Sequence, residues 1–401
     1  MVLIAMIGKT NTGKSTFFKA TTLANVEISN RVFTTIKPNH AMGFVKAECP
    51  ETKIGSKCNP NHGYCKDGIR FIPVEMLDVA GLVPGAHEGK GLGLQFLDDL
   101  RQADAFIHVI DISGSTNDQG ESVEKGTYDP AKDVEFLETE IGEWFFGLLK
   151  KNWAKFSKDV EMQKKKLVES LTIQFSGLKI TESQVSESIR KTGLNAETPA
   201  QWSEKDLKKF SFELRKLSKK MIIAANKIDV PGSEKNLKRL KDKFPGYIII
   251  PCSAESELAL KEADHHGLIE YTPGDNEFGI KNPEGLNKKQ RQGLDFVKKN
   301  VLEKYGSTGV QECLNAAVFR LLKYIVAYPV ANINHLTNKK GKVLPDALLV
   351  PDKITLKEFA GKVHTEMAEK FIGGIDFEKK RKIGADYQLS NGEVVEILFG
   401  K

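Results

Sequence analysis

Residues 2–16 read VLIAMIGKTNTGKST and place an apolar run directly before a glycine-rich turn. A buried strand, a turn of the form Gly-x₄-Gly-Lys-Ser and a helix start make up a phosphate-binding loop. The two glycines let backbone N–H groups point at phosphate oxygens, Lys14 reaches the β- and γ-phosphates, and the Ser15 hydroxyl is a ligand for Mg²⁺. We therefore predict a nucleoside triphosphate site. Its phosphate contacts are Gly8, Asn11, Thr12, Gly13, Lys14, Ser15 and Thr16.

Composition sets the broad class of the protein. The 401 residues are 40% hydrophobic and 28% charged, which is ordinary for a soluble globular protein of two or three domains. The N-terminal apolar run is too short for a secretion signal, and no run approaches the ~18 residues of a membrane span. Five cysteines, an odd number, argue against a disulfide framework. We expect a monomeric, cytoplasmic protein without a membrane partner. Its net charge of +6 suits a nucleic-acid partner without establishing one.

Two later stretches have the features of switch loops. The segment Phe33–Asn39 carries a threonine about twenty residues past the phosphate loop, and Thr35, with Thr34 as the alternative, is placed to bind Mg²⁺. Residues 71–77 predict a strand, and Asp78 at its end is a further Mg²⁺ ligand. The N–H of Gly81 can sense the γ-phosphate. Residues 82–93 hold four glycines, which suits a loop that orders with the nucleotide state.

A third motif selects the base. The run MIIAANKID at 221–229 delivers Asn226, Lys227 and Asp229 to the carboxyl end of a predicted strand, where ligands bind in open α/β sheets. The Asp229 carboxylate can accept from N1–H and the 2-amino group of guanine, which adenine lacks. Residues 248–250 predict another strand, which leads into Cys252-Ser253-Ala254. The backbone of Ser253 and Ala254 can contact the guanine oxygen.

These motifs together resemble a known family. Over residues 1 to about 255, the chain is similar to the Obg family of GTPases and, within it, to archaeal forms of the YchF-like branch. The motifs that carry this resemblance are GKTNTGKST, FTTIKPN, DVAGLVPGAHEGKGLGLQFL, NKID and CSA. The resemblance implies an α/β P-loop NTPase fold, with a doubly wound G domain at 1–132 and 220–328 and an inserted helical domain at 133–219. Many members of the branch carry Glu in place of Asp229 and prefer ATP. Because this chain keeps Asp229, we predict GTP.

Hydrolysis is expected to be slow and independent of glutamine. Leu82 stands where Ras-like GTPases carry a glutamine that orients water, and leucine cannot orient or polarise a water molecule. Catalytic roles then fall to Lys14, Thr35, Asp78 and Gly81. The side-chain carbonyl of Asn11 is a candidate ligand for K⁺ in place of an arginine finger, and the resemblance implies K⁺ at a matching asparagine in related members.

A cysteine-containing insertion, residues 49–65, lies between the two switch stretches. Cys49, Cys58, His62 and Cys65 form a set of four ligands that suits tetrahedral Zn²⁺. Their spacing matches no paired C-x-x-C knuckle, so incidental thiols or one reversible disulfide stay open as alternatives.

The helical insertion and the C-terminal module are the candidate partner-binding parts. Apolar residues recur at helical spacing from Leu137 to Leu148 and from Leu207 to Leu217, and the lysines at 150–151 and 164–166 are either RNA contacts or a solvated face. Helix is expected over 311–328 and over 356–371, and strand character at 331–334 and 394–399. Residues 329–401 resemble a TGS domain, a ubiquitin-like β-grasp fold. Its basic loops, 339–342 and 379–382, are candidates for contacts with RNA phosphates.

We thus interpret the chain as a GTP-hydrolysing switch that acts on the ribosome or another RNA partner. Its substrate is GTP and its metal ion Mg²⁺, with K⁺ and Zn²⁺ as further candidate ions. An ATPase of the same branch and an RNA-binding scaffold with a structural nucleotide are the alternatives. A phosphotransferase also has a phosphate-binding loop, but the guanine motif and switch loops speak against it.

Overall fold

The computed structural model describes residues 1–22, 39–79, 81 and 101–400. Its strands are β1 (Leu3–Ile7), β2 (His40–Glu48), β3 (Tyr64–Lys66), β4 (Ile69–Asp78), β5 (Ala105–Asp111), β6 (Met221–Asn226), β7 (Ile249–Pro251), β8 (Ile269–Glu270), β9 (Gly279–Ile280), β10 (Tyr324–Val330), β11 (Leu348–Pro351), β12 (Phe371–Asp376), β13 (Arg381–Ile383) and β14 (Glu393–Phe399). The chain divides into a first unit, Met1–Val2 with Thr21–Met76 and Leu314–Lys401, and a second unit, Leu3–Ala20 with Leu77–Cys313.

The α-helices are α1 (Lys14–Thr22), α2 (Glu51–Ile54), α3 (Ala131–Lys150), α4 (Trp153–Met162), α5 (Leu167–Gln174), α6 (Glu182–Thr192), α7 (Glu204–Ser218), α8 (Ser233–Lys243), α9 (Ala254–His265), α10 (Lys288–Val297), α11 (Glu303–Tyr305), α12 (Val310–Asn315), α13 (Leu356–Val363) and α14 (Thr365–Glu369). Short π-helical turns follow α10 and α12, at Lys298–Leu302 and Ala316–Leu321.

A parallel sheet is the centre of the second unit. β1 pairs with β5, β5 with β6 and β6 with β7, with Ile4 opposite Ala105 and Phe106 opposite Met221. Every residue of β1, β5 and β6 is buried, which is typical of parallel strands covered on both faces. Because the strands are parallel, their carboxyl ends meet at one edge, and the predicted nucleotide motifs follow β1, β6 and β7 at that edge.

The predicted helices of the insertion are present in the second unit. Leu137, Ile141 and Phe145 of α3 share one apolar core with Leu207 and Phe210 of α7. Helices α6 and α7 begin at capping boxes, at Thr181 and Ser203, in which the side chains of the cap and the third helical residue satisfy backbone donors. Two of the lysines considered as RNA contacts or as a solvated face form exposed ion pairs, Lys150 with Glu204 and Lys166 with Glu169, and neither interpretation is tested by these pairs.

The first unit contains the predicted β-grasp fold. Its five-stranded sheet has the order β11-β10-β14-β12-β13, with β10 and β14 parallel. Leu356 and Phe359 of α13 pack in one core with Ile325 and Val395 of the sheet. Elsewhere in this unit β3 pairs antiparallel with β4, and Tyr64 stacks on Phe71 at a centroid distance of 4.3 Å.

Three elements predicted between residue 311 and the C-terminal module differ from the structure. The helix expected over 356–371 is broken at His364, whose backbone is extended and whose Nδ1 accepts from Glu366 N to cap α14. The strand expected at 331–334 is a turn, because the Asn332 carboxamide accepts from the N–H groups of Asn334 and His335. The helix expected over 311–328 ends at 321, and the residues from Tyr324 form β10.

Candidate nucleotide-binding site

The loop between β1 and α1 has a conformation that requires its two glycines. Gly13 has φ +89°, and a Cβ there would lie 2.3 Å from Nδ2 of Asn226. Gly8 has φ +156°, and a Cβ would lie 2.5 Å from the Val109 carbonyl oxygen. Thr12 is fully buried, and its Oγ1 donates to the Lys9 carbonyl across the turn. Any larger residue at either glycine therefore displaces the loop from its neighbours.

A cation and a carboxylate meet at the start of α1. Lys14, the first residue of that helix, forms an ion pair with Asp78, the last residue of β4. Both side chains are largely buried, with 11% and 21% exposed. Ser15 is exposed and Thr16 partly exposed in the same first turn. The hydroxyl of Ser15 and the carboxylate of Asp78 are hard oxygen donors of the kind Mg²⁺ prefers, so the residues present fit that ion.

Asn226 joins two loops of the site. Its Nδ2 donates to the Thr12 carbonyl at 2.9 Å, and its Oδ1 accepts from the Ala254 N–H at 3.0 Å. The Asn226 side chain is buried, as are Thr12 and Ala254. Ser253 caps α9 by accepting from Ser256 N. One carboxamide thus fixes the distance between the phosphate-binding loop and the start of α9.

Lys227 lies across the phosphate-binding loop in a left-handed backbone conformation, φ 63°. Its Nζ donates to the Asn11 carbonyl at 3.0 Å and pairs with Asp111 at 2.9 Å. Burial raises the pKa of Asp111, but hydrogen bonds from Ser113, Thr116 and Lys227 outweigh burial, and the net pKa is lowered. Asp111 therefore stays ionised and holds the Lys227 ammonium in place.

Asp229 is accessible to a ligand. It is partly exposed and lines a groove of about 480 Å³ together with Glu255, Ser256 and Phe296. The groove wall is mainly apolar, with Leu286 and Leu294 among its residues, but Glu262, His266 and Gln290 also line it.

A polar network that the sequence did not indicate lies behind the loop. Lys9 is buried, pairs with Asp133 at 2.7 Å, and lies 3.9 Å from the centre of the Tyr128 ring. Burial raises the pKa of Asp133 and the Lys9 ammonium lowers it, with a net raised value. The sequence feature that could have indicated this network is Asp111, a charged residue at the end of an apolar strand. Nothing in the spacing indicated Asp133, which lies 124 residues from Lys9.

The segment that follows β5 packs on the tip of the loop. A Cβ on Gly120, φ +83°, would lie 1.8 Å from Oγ1 of Thr10. Asn11 donates from Nδ2 to the Gly120 carbonyl at 2.8 Å. This bond fixes the carboxamide of Asn11, so its Oδ1 is the atom left for the predicted contact with K⁺.

The switch predictions are only partly within the described residues. Gly81 lies beside the loop, because a Cβ on it would be 3.0 Å from Cγ2 of Thr10. Thr34, Thr35 and the stretch 82–93, with Leu82, lie outside the described residues, and their roles stay predictions.

The predicted metal ligands of the cysteine insertion need one correction. Cys49, Cys58 and Cys65 come together as expected, but the fourth group is the Glu51 carboxylate. His62 is exposed, lies in the bend before β3 and is not one of these four.

Known proteins match this chain along its whole length. Residues 3–139 match the family described as 50S ribosome-binding GTPase, residues 224–332 the Obg-like GTPase YGR210-like, G4 motif-containing domain, and residues 333–399 the TGS domain. An uncharacterized GTP-binding protein of Methanocaldococcus jannaschii is 50% identical over 99% of both chains. The chain belongs to the YchF-type branch of the Obg-like GTPase family. The family, the fold class and the TGS domain predicted from the sequence are thereby confirmed.

Two proteins of lower sequence identity also match nearly the whole chain. The crystal structure of a GTP binding protein from Pyrococcus horikoshii OT3 is 37% identical and covers 100% of both chains, with a TM-score of 0.80. A Haemophilus influenzae relative, named ribosome-binding ATPase YchF, is 27% identical over 98% of both chains. Among the described helices, none is long and apolar enough to cross a bilayer.

Proposed function

We propose that this Obg-like protein is a molecular switch that binds GTP and hydrolyses it to GDP and phosphate. Lys14 and the loop amides bind the phosphates, and Asn226, Lys227, Asp229 and the 253–254 backbone select guanine. Ser15, Asp78 and Thr35 would hold Mg²⁺, which supplies charge neutralisation on the phosphates when bound. We keep the domain limits 1–132 with 220–328, 133–219 and 329–401, and a monomeric state, as parts of the proposal.

The carboxamide of Asn226 is the observation that carries this proposal. It ties the Thr12 carbonyl of the phosphate-binding loop to the Ala254 amide, while its neighbour Lys227 reaches the Asn11 carbonyl. Since Asp229 follows three residues later, phosphate and base contacts belong to one connected set of residues. A loop that bound phosphate for structural reasons alone would not need this link to a base-reading motif.

Slow hydrolysis without a glutamine is the second part of the proposal. With Leu82 after Gly81, water must be positioned by other groups of the chain. The bond from Asn11 Nδ2 to Gly120 O leaves Oδ1 of Asn11 for K⁺, a cation that neutralises phosphate charge where an arginine finger is absent. Phosphate release from GTP should then be faster in K⁺ than in Na⁺, and the difference should disappear in Asn11→Ala. Equal rates in both ions would refute this part alone.

The ribosome is the partner we propose, in the cytoplasm. The support is the name of the Haemophilus influenzae relative and the family matched by residues 3–139. Ribosome co-sedimentation in a non-hydrolysable GTP analogue, in GDP and without nucleotide tests it. Stronger binding with the GTP analogue is expected of a switch, whereas equal binding in all three conditions would favour the RNA-binding scaffold.

Base preference separates the proposed GTPase from the ATPase alternative. A carboxylate at Asp229 is complementary to the donor edge of guanine, and an adenine bound there would leave that carboxylate without its partners. We expect Lys14→Ala to abolish phosphate release with either nucleotide and Asp229→Ala to abolish only the preference for guanine. If GTP and ATP were hydrolysed equally by the unaltered protein, selection by Asp229 would be wrong.

A further inference from the structure

Three thiols and one carboxylate converge in the first unit, in residues that the nucleotide site does not use. Cys49 follows β2, Glu51 opens α2, Cys58 lies in the next loop and Cys65 is in β3. The four ligand atoms all lie within 4.8 Å of one another. The Sγ atoms of Cys49 and Cys58 are 3.7 Å apart, and Cys65 Sγ is 3.1 Å from Glu51 Oε1.

These separations fit one tetrahedral ion. With Zn–S bonds of about 2.3 Å, two thiolates of a tetrahedral site lie about 3.8 Å apart, whereas a disulfide requires about 2.05 Å. Cys49 is buried and the other three ligands are partly exposed, so an ion has a path of entry. Three thiolates with one carboxylate form a soft, anionic donor set of the kind that selects Zn²⁺ over Mg²⁺ or Ca²⁺.

We propose that Cys49, Glu51, Cys58 and Cys65 bind a structural Zn²⁺ ion. Glu51 is held for this role by a second contact, since its Oε2 accepts from the Cys58 N–H at 2.7 Å. Oriented ligands of this kind are typical of metal sites.

Arg70 supplies a second observation that points to an anionic centre. Its side chain is fully buried, and its Nη1 donates to Cys58 Sγ at 3.3 Å while Nη2 donates to the Pro345 carbonyl. Over the described ranges, no carboxylate lies within ion-pair distance of this guanidinium. A buried cation with only a neutral thiol and a carbonyl as partners is costly. Zn²⁺ with three thiolates and a carboxylate carries a net charge of −2, which compensates Arg70.

The ion would close the insertion onto the loop before β11. Asn59 N donates to the Val343 carbonyl and Asn61 N to the Pro345 carbonyl, both at 2.8 Å. Lys342 Nζ donates to Asn61 Oδ1 at 2.9 Å. The helix within the insertion, α2, has four residues, so a metal would supply cross-links to this short segment.

Metal content of the full-length protein is the first test. Protein purified without chelator should contain about one zinc per chain by elemental analysis, and after chelation Co²⁺ should restore one equivalent with sulfur-to-cobalt charge-transfer absorption. In denaturant without reductant, all five cysteines should react as thiols. The proposal would be overturned by a Co²⁺ complex without thiolate absorption or by less than a tenth of an equivalent of zinc after reconstitution. It would also be overturned if three thiols reacted instead of five, since that count indicates a disulfide.

Variants separate the proposed ligands from the neighbouring histidine. Cys58→Ser and Glu51→Gln should each weaken Co²⁺ binding at least tenfold, and His62→Ala is the matched control that should bind as the unaltered protein does. Glu51→Gln changes one atom of a partly exposed side chain, so it keeps the test valid if the cysteine variants do not fold. If His62→Ala lost Co²⁺ binding while Glu51→Gln bound Co²⁺ fully, the fourth ligand would be His62, and the proposed ligand set with Glu51 would be refuted.

Discussion

Replacing Asn226 by alanine should weaken both folding and nucleotide binding. The change deletes the acceptor of the Ala254 N–H and the donor to the Thr12 carbonyl, and both of these residues are buried, with 1% and 0% exposed. Each buried group left without a partner costs about 1–3 kcal/mol. We therefore expect the free energy of unfolding to fall by about 2–6 kcal/mol, the sum of the two.

Urea denaturation followed by tryptophan fluorescence is the assay for this change. All three tryptophans, Trp144, Trp153 and Trp202, belong to the apolar core of the second unit, so their signal reports the unit that contains Asn226. The midpoint should fall while the slope with urea is unchanged. In parallel, affinity for a fluorescent GDP analogue should fall, because Asn226 holds both the phosphate-binding loop and the Ala254 amide of the guanine motif.

Two further variants make this test specific. Asn300→Ala is the control, because Asn300 is exposed and donates to the Phe296 carbonyl of its own helical segment, and it should change stability by less than about 0.5 kcal/mol. Asn226→Asp keeps the size of the side chain and the acceptor for Ala254, but places an oxygen against the Thr12 carbonyl, and it should also destabilise. A loss under about 0.5 kcal/mol in Asn226→Ala, with unchanged GDP affinity, would refute the role assigned to this residue.

Three other changes test separate parts of the site. Gly13→Ala places a Cβ 2.3 Å from Asn226 Nδ2 at φ +89°, so GDP titration should show at least tenfold weaker binding; unchanged binding would contradict the loop geometry. Lys9→Met leaves the Asp133 carboxylate buried without its ammonium and should lower the free energy of unfolding by about 3–5 kcal/mol, and adding Asp133→Asn should recover part of that loss in the same urea assay. The pKa of His108 is lowered to about 3, by burial first and then by Arg215 and Lys9. In the unfolded chain this histidine has its ordinary pKa of about 6.5 and takes up a proton below that pH, whereas in the folded protein it does not. Stability should therefore fall by about 2 kcal/mol from pH 7 to pH 5 through this group, and His108→Leu should remove that part of the pH dependence.

The nucleotide motifs could be predicted from the sequence because each depends on local chain geometry. A strand, a tight turn and a helix start are consecutive in sequence, so residues 2–16 predicted β1, the loop and α1 together. The same holds for β6 with Asn226 and Lys227 at and after its carboxyl end. The roles of Thr34, Thr35 and Leu82 stay predictions, since they lie outside the described residues.

What the sequence did not predict depends on contacts between distant segments. The Lys9–Asp133 pair and the Lys227–Asp111 pair join residues more than a hundred positions apart, and no periodicity marks such partners. The choice of Glu51 over His62 depends on how β3 and α2 orient their side chains, which composition cannot tell. At His364 and Asn332, side chains that bond to nearby backbone amides overrode the helix and strand propensity of their neighbours.

Competition between nucleotides is the most direct test of the central claim, that Asp229 selects guanine. Bound fluorescent GDP should be displaced by unlabelled GDP at a concentration at least a hundredfold below that of ADP, a difference of about 2.7 kcal/mol, with Mg²⁺ and K⁺ present. Asp229→Ala should lose most of this preference while the unaltered protein keeps it. Equal or tighter binding of ADP by the unaltered protein would mean that the base is read elsewhere and that the protein responds to adenine nucleotides.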